Sequence, residues 1–375
     1  MRAAMMALWM ALTTTGCPFF LQQAEPEATG VPALGGGSHD LKSVVIDVIA
    51  TADDRLNGPR DLAFNPDVPG ELWIVNQHDD STTTVFDAGV KGQQSLHLID
   101  PFAMHFMEEV SSISFSTGLK FGTCQESQNT YNHEYDPNHF MGPTLWSADF
   151  DIYAKSNPEA VAESGFDLGS HLDMLHESAN CMGIAWQADN IYWTFDGDAG
   201  HISRFDFQQD HGPGFDDHSD GIIEHFIDVS VERVAGVPSH LAYDHERDVV
   251  ILADTGNARV LEVDPSTAAE GVPEENMERG VLIYPREGAT VREVVSAGAG
   301  LNAPSGVALF SDLIFLTDNA TSTIYAFDRD GKEVDSLELD LPAGSLMGLR
   351  VDDEGHIWIV DYQGDRVLRI RPAQP

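Results

Sequence analysis

Short apolar runs broken by turn residues dominate this chain, and the same run order returns several times. In LNAPSGVALFSDLIFLTDNATSTIYAFD, starting at Leu301, an apolar strand ends at a Ser-Asp turn. A second strand then closes on an aspartate, a polar loop follows, and a third strand alternates apolar and polar positions. Runs beginning at Leu56, Gly236 and Leu346 repeat that order, and ANCMGIAWQADNIYWTFDGDAGHISRFD, from Ala179, is a fifth copy. VSSISFSTGLKFGTCQES, from Val110, opens a degenerate sixth whose third strand comes only at PTLWSADFDIY, after an insertion.

Aligned on the apolar residue of the first strand, the copies fall at Leu62, Ile113, Ile184, Leu241, Val307 and Leu349. Successive spacings are 51, 71, 57, 66 and 42 residues. A common minimum near 40 is the length of one four-stranded propeller blade, and the excess is loop insertion. A fourth strand precedes each first strand, as in EHFIDVSV before GVPSH and REVVSAGAG before LNAPSG. By that rule the strand from Ser43 to Ala50 has no blade of its own. It is expected as the outer strand of the last blade, closing the ring and leaving no free sheet edge. The fold class expected is all-β, a six-bladed β-propeller over residues 43–375.

Leu252-Ala253-Asp254-Thr255-Gly256-Asn257-Ala258-Arg259-Val260 resembles the signature of NHL repeats, and Val360-Asp361-Tyr362-Gln363-Gly364-Asp365-Arg366-Val367 is similar. At repeat level the resemblance covers residues 43–371. It implies the six-bladed ring and says almost nothing of activity. The recurring Asp196, Asp254, Asp318 and Asp361, with Asn76 in the first copy, are expected to cap backbone N–H groups of the turn that ends each second strand.

Composition adds the surroundings. There are 61 Asp and Glu against 20 Lys and Arg, a formal net charge of -41, with 42% hydrophobic residues. So negative a surface repels nucleic acid and anionic membranes and favours cations. The first seventeen residues carry one charge, Arg2, then an apolar run and Thr14-Thr15-Gly16-Cys17. This is the layout of a secretory signal, and the small residues before Cys17 resemble a bacterial lipobox. Expected from this are export, lipidation at Cys17, an outer-membrane anchor facing the periplasm or the cell surface, and a flexible tether over residues 18–42. In such an oxidising compartment Cys124 and Cys181 are expected to pair as one disulfide, two separate thiols being the alternative.

Candidate chemistry follows from where the repeats put polar residues. Entry loops of the inner strands converge on one channel mouth. There the alignment places Arg60, Asp61, Ser112 and His240, with His105 and His176 at equivalent entry positions and Glu109 and Glu177 beside them. The insertion after Cys124 adds His133, Glu134, Asp136 and His139. Imidazoles from three blades, His105, His176 and His240, make a candidate Zn²⁺ set. The run from Asp210 to Gly221, with Asp210, Asp216, Asp217 and Asp220, is a candidate Ca²⁺ loop. It joins the third and fourth strands of its blade and is expected on the opposite face. No organic cofactor is expected.

Two functions fit. The first is a binding module whose channel mouth takes a protein, peptide, glycan or small-molecule ligand. The second is a metal-dependent enzyme at His240, because NHL propellers include peptidyl-hydroxyglycine amidating lyases and Pro238-Ser239-His240-Leu241 is similar to one of their metal-histidine positions. A lactonase-type Ca²⁺ hydrolase is a variant of that second reading. Nucleophilic catalysis lacks a G-x-S-x-G elbow.

Overall fold

The computed structural model describes residues 30–128, 140–274 and 278–373. Six sheets form the six blades. Blade one is Pro59–Phe64, Leu72–Asn76, Ser81–Phe86 and Gln94–Ile99, from inner to outer strand. Blade two is Val110–Phe115, Lys120–Gln125, Thr144–Ser147 and a two-residue outer strand, Asp173–Met174. Blade three begins Cys181–Ala188, Ile191–Asp196, His201–Asp206 and Ile222–Phe226. Blades four and five have inner strands Leu241–Asp244 and Pro304–Phe310. Blade six is Leu346–Val351, Ile357–Asp361, Arg366–Pro372 and, from the other end of the chain, Val44–Ala50.

The closing strand pairs antiparallel with the last one, Val44 opposite Pro372 and Val48 opposite Leu368, as the repeat count requires. Middle strands are largely buried on both faces because each blade packs between two others, even the Ser81–Phe86 strand with its three threonines. Every residue of Val249–Asp254 is buried. Asp196, Asp318 and Asp361 cap turn N–H groups as expected, whereas Asp254 accepts from Glu232 N–H and from the Asn257 and Arg259 side chains. Asp318 accepts from the backbone N–H of Asn302, Ala320 and Thr321, and Asp361 accepts from that of Gly364. Asn76 accepts from Asn57 N–H.

Cys124 and Cys181 form a disulfide joining blades two and three, with α-carbons 5.2 Å apart. Of the expected tether, residues 30–42 are described, and their first part packs on the propeller. Val31, Ala33 and Leu34 are buried in the apolar layer shared by blades five and six, and Asp335 accepts from the N–H of Val31 and Gly37. An apolar Val-Pro-Ala-Leu turn gains more by burial than by staying solvated. Cys17 and the expected signal segment lie outside the described residues. No helix among the described residues is long and apolar enough to cross a membrane.

Two features escape the repeat. Strand Leu282–Glu287, inside the long excursion of blade four, adds parallel to the outer strand of blade three, and Ala269–Glu270 pairs beyond it. Blade three therefore carries six strands. The second is the short outer strand of blade two, which leaves that edge open to the chain that follows His201–Asp206. His211 N–H bonds to Leu172 O (3.1 Å), and Gly214 N–H bonds to His171 O (2.9 Å). The acidic loop is thereby docked on the outer edge of blade two.

Candidate functional site

At the channel mouth, Arg60 is fully buried and its Nη2 donates to Glu126 Oε2 at 2.7 Å, while Arg233 binds the other oxygen of the same carboxylate. Burial works against ionising Glu126, yet Arg60, Gly236 N–H and Arg233 together hold its carboxyl below the usual range. Asp61 accepts from Ile113 N–H (3.1 Å) and from Arg350 Nη2 (3.2 Å). His240 lies beside it, Nδ1 3.9 Å from Asp61 Oδ1, and its Nε2 meets Ser111 O at 3.1 Å. Burial pushes the His240 imidazole below its ordinary pKa, Asp61 opposing. Ser112 is buried. Glu109 reaches Gln77 Nε2 at 3.5 Å, and Glu177 sits in left-handed backbone at φ 74°. The mouth is thus an ionic lattice of short salt bridges.

The three histidines of the expected Zn²⁺ set do not share one centre. His105 and His176 lie near each other, ring centroids 6.4 Å apart, whereas His240 takes its contacts from Asp61 and Ser111 inside the channel. The four aspartates of the acidic loop likewise turn to separate partners. Asp210 binds Lys120 Nζ (2.6 Å), Asp216 binds His218 Nε2 (3.0 Å), Asp217 accepts from Ser219, and Asp220 accepts from Gln209 N–H. His133, Glu134, Asp136 and His139 lie outside the described residues.

One expectation is corrected outright: the acidic loop and the entry histidines are not on opposite faces. Because the loop climbs the open outer edge of blade two, it brings Asp216 and His218 into one cleft with His105 and His176. The cleft has a volume of about 940 Å³. Phe102, Phe106, Phe140 and Phe166 supply its apolar wall, and Glu278 and Arg279 close it from the blade-four excursion. His176 Nδ1 bonds Glu278 Oε1 at 2.9 Å, and Phe140 stacks on the His176 ring at 3.6 Å. Burial, helped by His176, brings His105 down to about 4.

Below the cleft the imidazoles crowd further. His171, His211 and His218 offer one ring nitrogen each, all within 4.8 Å of one another. His218 Nδ1 is 2.7 Å from Asp173 Oδ1. Burial works against its charge, but the bonds to Asp173 and Asp216 push it up to about 10. Burial instead drives His171 well down and His211 to about 4. A second group, Asp352, Glu354 and His356, is a tight turn in which Asp352 accepts from the N–H of Glu354 and His356. His171, Asp173, Glu126 and Glu278 carry no repeat signal. Only for His171 was there a signal, the density of histidines between 171 and 218.

No protein-family model matches the chain, and no curated protein matches it. Solved structures do. An auxiliary nutrient binding protein of Bacteroides thetaiotaomicron aligns with TM-score 0.53 at 13% identity, over 84% of this chain and 69% of its own. Its counterpart from Bacteroides ovatus gives 0.54 at 13%, over 88% and 77%. A catalytically inactive virginiamycin B lyase from Staphylococcus aureus, with quinupristin, gives 0.52 at 8%, over 88% and 100%. The chain is a six-bladed β-propeller. At these identities the likeness establishes the fold of the propeller and leaves its chemistry to the site itself.

Proposed function

We propose that this propeller is an exported binding module and that its ligand sits in the cleft at the outer edge of blades two and three. The observation that carries this reading is the convergence of four phenylalanines with His105, His176, Glu278 and Arg279 on one concavity of about 940 Å³. An apolar wall with a few convergent polar groups is the usual make-up of a small-molecule site. Phe166 is 67% exposed at its rim, an apolar surface awaiting a partner. The ligand class is a small organic molecule with a flat apolar face and hydrogen-bonding groups. The nutrient binding proteins among the structural neighbours support a binding role, and the seventeen-residue N-terminal segment supports export with attachment at Cys17. The lyase among those neighbours keeps an enzymatic use of the fold in view, but His240 and Asp61 provide too few convergent donors to carry one at the channel.

The test is a thermal-shift screen of small aromatic, sugar and peptide compounds against the full chain, followed by calorimetry. A hit should lose at least about tenfold in affinity in Phe166→Asp and Arg279→Ala, each polar contact or buried ring contributing about 1.4 kcal/mol or more. A hit that ignores both variants but is lost in Arg233→Ala would move the site to the channel mouth.

A further inference from the structure

We infer that His171, His211 and His218 form a three-histidine site for a divalent transition-metal ion, with Zn²⁺ the ion this donor set suits. The site shares His218 and Asp216 with the ligand cleft, but metal uptake can be measured without knowing the ligand.

The hydrogen bonds of the rings decide which nitrogens are available. His171 Nδ1 meets Leu168 O at 3.0 Å, and His211 Nδ1 meets Gly212 O at 2.7 Å. A carbonyl oxygen only accepts, so both Nδ1 atoms carry the proton and both Nε2 atoms carry a lone pair. Those two Nε2 atoms are buried and have no hydrogen-bond partner among the described residues. The His171 side chain is itself fully buried. Leaving such an acceptor unpaired is costly, and a metal bond removes that cost.

The third ring completes the pattern. Asp173 holds His218 Nδ1 at 2.7 Å, the carboxylate–histidine arrangement that orients a ligating imidazole, and His218 Nε2 becomes a donor by exchanging its proton and its bond to Asp216 for the metal. The His171 and His211 rings are inclined by 75°, those of His211 and His218 by 73° and those of His171 and His218 by 33°, with centroids 4.9, 5.0 and 6.2 Å apart. Phe106 lies flat on His171 with centroids 3.7 Å apart, fixing that ring. A tetrahedral Zn²⁺ with bonds of about 2.0–2.1 Å spaces its donors roughly 3.3 Å apart. From donors within 4.8 Å of one another, closing on the ion needs movements of about 1.5 Å at most. Asp216 Oδ1, 3.0 Å from His218 Nε2, stands beside the fourth position. Imidazole donors select Zn²⁺, Cu²⁺ or Ni²⁺ over the oxygen-seeking Ca²⁺ and Mg²⁺.

The experiment strips the full-length protein with a chelator, reloads it with Zn²⁺, and measures bound metal by elemental analysis and affinity by competition with a chromophoric chelator. The expected result is one ion per chain. Affinity should fall by about 100-fold or more in His211→Ala and by about 10- to 100-fold in Asp173→Asn, and stay unchanged in His356→Ala on the other acidic turn. Circular dichroism reports whether each variant is folded. Substoichiometric uptake by the wild type, or unchanged uptake in folded His211→Ala, overturns the site. Should the variants fail to fold, X-ray absorption of the Zn²⁺-loaded wild type decides. Three nitrogen donors sustain the site and fewer overturn it.

Discussion

His218 is bound to Asp173 at 2.7 Å, and this pair ties the acidic loop of blade three to the two-residue outer strand of blade two. Asp173 is buried and His218 nearly so, so the pair lies largely out of water. Removing one partner of such a pair strands the other. Asp173→Ala, in metal-free protein, should destabilise the fold by about 3 kcal/mol. Denaturant unfolding measures the loss. Amide exchange at His211 and Gly214 should quicken first, since their N–H bonds hold the loop to blade two.

Ring closure predicts a contrast between a side chain and a strand. Asp47 binds Arg369 and Arg371 on the last strand at 3.0 and 2.7 Å, but these charges are part-exposed. Asp47→Ala should cost no more than about 1 kcal/mol. Deleting Val44–Ala50 instead uncovers the edge of Arg366–Pro372 and should yield aggregated protein in size-exclusion chromatography.

The disulfide spans 57 residues of chain. The chain-entropy account assigns a loop of that size about 4 kcal/mol. Reduction, or the Cys124→Ser, Cys181→Ser double variant, should lower the denaturation midpoint accordingly. An unchanged midpoint would mean that the unfolded chain gains little freedom when the bridge is cut.

His201 and His225 stack at 4.9 Å in blade three. Burial holds His201 down at about 4, and burial with help from His201 holds His225 at about 3. The unfolded chain takes up protons near pH 6.5, where the folded one refuses them. Stability from this pair is complete above that pH and falls as pH drops through 6.5 toward 4 and 3. The slope is about 1.4 kcal/mol per pH unit for each ring. Thermal midpoints between pH 7 and 4.5 should fall less in His225→Gln than in the wild type. Equal slopes would assign the acid sensitivity to other groups.

Strand order, blade count, the closing strand and the Cys124–Cys181 bridge were all legible in the sequence. Each follows from a local period or from the position of a residue within a repeat that recurs six times. The same logic assigned Arg60, Asp61 and His240 to the channel mouth, and all three are buried. Their partners were not legible, because Glu126 and Arg233 come from loops whose path no repeat dictates.

The amino-acid sequence by itself determined a six-bladed ring, since a strand that repeats every blade must bury both faces and leaves few other ways to pack. Only the tertiary structure decided where the imidazoles meet. His105, His171, His176, His211 and His218 come from four separate connections. They converge because one outer strand is two residues long and the next loop bonds to its edge. Alternation along a strand is written residue by residue. The course of a loop across a neighbouring blade is set by which backbone groups remain unpaired once the sheets have formed.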